Sequence, residues 1–147
     1  ADAEREVDAT YVGKAELLKQ ADIVVLILPY SKDTHHYIGS EEMAMMKPSA
    51  VLVNIARGGI VDDAALVEAL TKKTLWAAGL DVYENEPKFN PDLLKLSNVV
   101  LSPHIASASE PTRKAMAMTA ARNLVVALSG RSPPNLLNPD YKKYLKV

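Results

Sequence analysis

Cysteine is absent from the 147 residues, which excludes structural disulfides, thiolate zinc sites and a cysteine nucleophile together. The lack fits a reducing, cytoplasmic setting. An excess of one charge is missing too: Lys plus Arg number 17 and Asp plus Glu 18, a formal net charge of −1. Such a surface supplies no field to gather phosphate backbones, so nucleic acid is not an expected partner. Long apolar runs are also lacking. The longest, Ile23 to Leu28, falls far short of the ~20 residues of a membrane helix. The polar opening "ADAEREVDAT" has no signal-peptide core, and no membrane partner is expected. What remains, 48% hydrophobic and 24% charged, is ordinary globular usage, with length for one domain that buries roughly 70% of its extended surface.

Runs of β-branched and aliphatic residues alternate with helical stretches. "DIVVLILP", "AVLVNIA", "LWAAGLDVY" and "NVVLSP" are apolar on both faces, the pattern of parallel strands covered by helices. Between them "SEEMAMMK" and "DDAALVEALTKK" read as helices. In the second, Asp62 is placed as N-cap, Val61 and Leu66 as a hydrophobic staple, and Leu66, Val67 and Leu70 as the buried stripe. A longer helix over Pro111 to Ser129 ends at Gly130. The fold class predicted is α/β, a Rossmann-like parallel sheet with helices on both faces and ligands at the carboxyl ends of its strands. The domain division expected is 1–130, then a C-terminal arm over 131–147.

Polar groups stand where the strands run out. The second strand leads to Arg57, the third to Asp81 and then Glu86, and the fourth to His104. In a parallel sheet these ends face one crevice. Arg holds a carboxylate through two parallel N–H···O bonds. Glu beside His orients the imidazole and favours its protonated form, so the ring can hand a proton to a developing alkoxide. A carboxylate clamp and a proton donor, with neither nucleophile nor metal, suit hydride transfer to a 2-oxo acid from a dinucleotide. Each residue alone has a plainer reading, as turn, solvated loop or strand-end residue, and Asp81 can simply cap a neighbouring turn. Convergence at one sheet edge carries the case.

Other features carry less. His35 and His36 are adjacent with no acidic cluster at ligand spacing, so no metal site is expected. Met43, Met45 and Met46 read as helix packing. Lys142, Lys143 and Lys146 are too few for an anionic docking patch. No G-x-S-x-G elbow is present, which excludes an α/β hydrolase.

From about Tyr11 to Asn138 the sequence resembles the D-isomer-specific 2-hydroxyacid dehydrogenases, most of all their glyoxylate/hydroxypyruvate reductase branch. The matching segments are "MKPSAVLVNIARGGIVDDAALVEAL", "AAGLDVYENEP" and "NVVLSPHIASAS". The resemblance implies reduction of small 2-oxo acids, glyoxylate and hydroxypyruvate, with NAD or NADP. Arg57 would bind the substrate carboxylate, His104 would be the acid/base and Glu86 its partner. Ile55, Ala56, Arg57, Asp81, His104, Ile105 and Ala106 would lie at the cofactor, with Ala106 where the family often has Gly. It also implies a homodimer for the full-length protein. A non-enzymatic alternative keeps the same triad: a dinucleotide-sensing, corepressor-like binding module.

The family's pyrophosphate turn, G-x-G-x-x-G after a first strand, has no counterpart among the glycines at 13, 39, 58, 59, 79 and 130. The expectation is therefore a nucleotide-binding domain represented from just after its second strand, with the edge of Ile23 to Leu28 open to pairing. Residues 1–147 alone are expected to turn over neither NADH nor NADPH.

Overall fold

The computed structural model describes residues 2–144. Lys146 lies outside them, as does the side chain of Lys142. The chain divides into two compact units, Ala1–Ala106 and Ser107–Val147.

The first unit holds helices α1 (Asp2–Glu6), α2 (Lys14–Gln20), α3 (Ser40–Met45) and α4 (Asp63–Thr71). Its strands are β1 (Ile23–Leu26), β2 (Val51–Asn54), β3 (Ala77–Leu80) and β4 (Val99–Leu101), all parallel and in the order β1-β2-β3-β4. The register aligns Val24, Leu52 and Ala78 in one row and Leu26, Asn54 and Leu80 in the next. Both rows are buried and share one apolar cluster with Leu18 of α2, Met43 and Met46 beside α3, and Leu66, Ala69 and Leu70 of α4. An order that runs one way through the sheet places right-handed crossovers on a single face. The packed helices of this unit accordingly meet one face. The alternate residues Ile23, Val25 and Val100 are exposed, although their strands are apolar throughout. β1 and β4 form the two edges of this sheet.

Local chemistry sets the boundaries. Asp62 caps α4, its Oδ1 accepting N–H bonds from Ala64 and Ala65 at 3.0 Å each, and Val61 and Leu66 are fully buried beside it. Met43 and Met46 are buried and Met45 half-buried, so these methionines pack. The β3–β4 connection contains a 3-10 turn, Pro91–Lys95, capped by Asn90 and anchored by the buried Leu93.

In the second unit α5 (Glu110–Leu128) begins at the cap Ser109 and ends at Gly130, whose φ of +74° is the left-handed stop that glycine takes without strain. The following segment returns to this helix: the amides of Asn123 and Asn135 bond each other at 3.2 Å, and Asn135 N–H donates to Asn123 at 3.2 Å. A short 3-10 turn closes the described chain at Tyr141–Tyr144.

Candidate active site

Arg57 is presented by a turn that Asn54 builds. Asn54, at the end of β2, is 1% exposed; its side chain accepts from Ala56 N–H at 3.1 Å and donates to the Arg57 carbonyl at 3.0 Å. These bonds satisfy a buried amide and fix the chain where it leaves the sheet. The Arg57 side chain is exposed, with Nη1 donating to the Ala56 carbonyl at 2.6 Å. Among the described residues no carboxylate pairs with it, so the guanidinium is placed to take one from a ligand.

The two glycines after Arg57 are contact surfaces. A Cβ on Gly58 would lie 1.7 Å from the Tyr83 carbonyl oxygen, so only glycine lets this turn pack against the backbone after β3. Gly59, at φ +75°, receives the Tyr30 ring on its other side, where a Cβ would stand 3.1 Å from Cε2. The Gly58–Gly59 turn that follows Arg57 is thus held between Tyr30 and the Tyr83 loop.

That loop holds the acid. The buried Tyr83 donates its hydroxyl to the Ser102 carbonyl at 2.7 Å and the Leu80 carbonyl at 3.2 Å, tying the ends of β3 and β4 together. Burial, then the Asp81 charge, push its phenol pKa up. Glu86 folds back so that Oε1 accepts Tyr83 N–H at 2.8 Å, while Oε2 meets His104 Nδ1 at 2.9 Å. Burial pushes the Glu86 carboxyl up, but the bonds from His104 and Tyr83 outweigh it and hold the group below its ordinary pKa. An ionised carboxylate only accepts, so His104 carries its proton on Nδ1 here and Nε2 is the nitrogen left for a ligand.

His104 has φ +54°, a left-handed conformation that costs a non-glycine residue roughly 1–3 kcal/mol and persists where its surroundings enforce it. Asp81 is the enforcing group. It is 4% exposed; Oδ1 accepts from Ser102 Oγ at 2.5 Å and Ile105 N–H at 2.8 Å, and Oδ2 accepts from Ala106 N–H at 2.8 Å. Burial pushes this carboxyl up, yet Ser102, the two N–H groups and the nearby His104 together carry its pKa below the ordinary value. Asp81 caps the turn from 102 to 106, with His104 at its apex.

A cavity of about 730 Å³ gathers Ile27, Leu28 and Tyr30 with Ile55, Ala56, Arg57, Glu86 and His104. Five of the residues singled out in the sequence therefore share one wall: Ile55, Ala56, Arg57, Glu86 and His104. Asp81, Ile105 and Ala106 are not in that lining; they shape the turn behind it. Asn54, Gly58, Tyr83 and Tyr30 went unnoticed in the sequence. The polar Asn54 closing the apolar run "AVLVN" is the one signal that could have been read.

Beside this site lies a second polar group. The His35 and His36 rings stack at 3.9 Å between centroids, and Tyr30 OH bonds His35 Nδ1 at 3.1 Å. His36 Nε2 bonds Glu84 at 3.0 Å, and its Nδ1 lies 3.7 Å from Asp62. Glu84, 48 residues away in sequence, supplies the acid not seen at ligand spacing, and the ligand atoms of His35, His36 and Glu84 lie within 4.8 Å of one another. Near-parallel imidazoles, 25° apart, direct their lone pairs side by side rather than toward one point. Behind them Asp63, 4% exposed, accepts Glu84 N–H at 3.0 Å.

The profile of the family described as D-isomer specific 2-hydroxyacid dehydrogenase, NAD binding domain, matches residues 1–106. A glyoxylate reductase of Thermococcus litoralis is 48% identical over 139 residues, covering 95% of this chain and 42% of its own. A D-isomer specific 2-hydroxyacid dehydrogenase crystal structure from Polaromonas superposes with TM-score 0.87 at 34% identity, over 94% of this chain and 43% of its own. The NADPH-dependent glyoxylate/hydroxypyruvate reductase of Sinorhizobium meliloti, in complex with NADP and malonate, gives TM-score 0.75 at 40% identity, over 79% of this chain and 36% of its own. The chain spans less than half the length of these relatives.

Proposed function

This chain belongs to the D-isomer specific 2-hydroxyacid dehydrogenase family, through its NAD-binding domain, and on that premise we propose that it supplies the proton donor and the carboxylate clamp for reducing a small 2-oxo acid. Glyoxylate and hydroxypyruvate are the substrates, and the products are the corresponding 2-hydroxy acids, of D configuration where the new carbinol carbon is chiral. The observation that carries the reading is the shared cavity wall of Arg57, Glu86 and His104, with the last two hydrogen-bonded at 2.9 Å.

The apolar stretch Ile27, Leu28, Ile55 and Ala56 on that wall suits the flat face of a nicotinamide, and the backbone around Ile105 and Ala106, held by Asp81, borders it. A bound NADH or NADPH supplies the hydride. Arg57 takes the substrate carboxylate and so sets which face of the carbonyl is presented. With a proton on each ring nitrogen, His104 gives the one on Nε2 to the carbonyl oxygen as negative charge develops there, and Glu86 at Nδ1 keeps the ring aimed. The same reading carries with it a homodimer in the cytoplasm, on the strength of the family alone.

The test is a chimera in which this chain is joined to the remaining part of the Thermococcus litoralis reductase. It should turn over glyoxylate, and Arg57→Lys should raise KM for glyoxylate about 100-fold, because an ammonium cannot reproduce two parallel bonds, with cofactor affinity within a few fold. An unchanged KM would remove Arg57 from the substrate.

A further inference from the structure

We propose that Asp63 is a positioning residue for the Glu86–His104 pair, acting through the backbone of the loop that carries Glu86. The functional meaning of that pair rests on the reading above; the geometry of the loop does not.

Asp63 opens α4, but Asp62 already caps this helix through Ala64 and Ala65. A second carboxylate, buried to 4% exposure, is therefore more than α4 requires. Its surroundings are also unfavourable. Burial, followed by the charges of Glu84 and Asp62, pushes its pKa up to about 6, against the bond from Glu84 N–H and the compensating His36. Tyr83, whose phenol responds to the same charge, is the remaining titratable neighbour. A group kept at such a cost is explained by what it holds, and Oδ2 holds Glu84 N–H at 3.0 Å.

From that bond a continuous path leads to the pair. The neighbouring N–H, that of Tyr83, donates to Glu86 Oε1 at 2.8 Å, and Glu86 Oε2 meets His104 Nδ1 at 2.9 Å. Gly58 presses on the same peptide from the Arg57 side, and His36 holds the Glu84 side chain from outside at 3.0 Å. Asp63 thus fixes the Tyr83–Glu84 peptide, which abuts the Arg57 turn and is joined through Tyr83 to the N–H that holds Glu86, and this couples the spacing of clamp and proton donor.

The test is the titration of the Glu86 carboxyl carbon by NMR in this chain, with no substrate or cofactor. In Asp63→Ala the loop loosens, the bonds from Tyr83 and His104 weaken, and the Glu86 midpoint should rise by about half a pH unit or more. Asp63→Asn keeps an acceptor for Glu84 N–H and should leave the midpoint in place. A purely structural Asp63 would lower the melting temperature of the Ala variant without moving Glu86, and that result would overturn the proposal. If the Ala variant does not fold, the wild type decides: the Glu84 amide proton should shift as Asp63 titrates near 6, and an amide blind to that titration overturns the proposal equally. Failure here leaves the dehydrogenase reading intact, since that reading is tested by turnover.

Discussion

Asp63 and Asp81 are each 4% exposed to solvent, yet their pKa values move in opposite directions. Asp81, behind the His104 turn, collects bonds from Ser102, Ile105 and Ala106 and faces an imidazole; it stays below the ordinary range. Asp63, behind the Glu86 loop, has the Glu84 N–H and two acidic neighbours, and rises to about 6. Asp63 is the more deeply enclosed by protein and has the fewer donors aimed at it, and the two together decide that burial penalises its charge while Asp81 keeps its own. The two loops that meet at the 2.9 Å contact of Glu86 and His104 are thus anchored unequally: the His104 turn firmly, the Glu86 loop at a continuing cost.

The largest effect should come from removing the favourable anchor. Asp81→Ala leaves a hydroxyl and two N–H groups without their acceptor and should cost about 3 kcal/mol in urea unfolding at pH 7. The sign follows from the depressed pKa: the stabilisation is present above the ordinary carboxylate value and is lost as pH falls through the lower folded value. The variant's deficit should therefore shrink in acid. A deficit independent of pH would show that the Asp81 charge is not what holds the turn.

The smaller effect has the opposite sign. A pKa raised from 3.8 to about 6 means that Asp63 penalises folding by up to ~3 kcal/mol at neutral pH, the penalty growing between those values as pH rises. Asp63→Asn keeps an acceptor and discards the charge, so it should be about 1–2 kcal/mol more stable than wild type at pH 7 and no more stable at pH 4. Unfolding curves at the two pH values measure it. A variant less stable at pH 7 would erase the contrast with Asp81.

Much of this arrangement could be read from the sequence. Apolar runs at β1 to β4, the Asp62 cap and the Gly130 stop are local signals, and strand ends converge by topology, so Arg57, Glu86 and His104 could be placed at one crevice in advance. The partners that hold them were not legible. Glu84 meets His36 across 48 residues, and Gly58 is required by the backbone of Tyr83 rather than by its own turn. Asp81 could be read in advance as the cap of a neighbouring turn, but that its donors are the turn around His104 depends on the β3–β4 register. That the packed helices of the first unit meet one face follows from strand order, which apolar composition alone does not encode.

On the reading proposed above, His104 Nε2 gives the proton. The most direct measurement is single-turnover reduction of glyoxylate by the chimera described above, with and without His104→Gln. Glutamine retains polarity and approximate size but cannot act as an acid, so the rate of the chemical step should fall at least about 100-fold, while KM for glyoxylate, assigned above to Arg57 as a proposal, should stay within a few fold. A His104→Gln chimera that reduces glyoxylate at the wild-type rate would contradict the account.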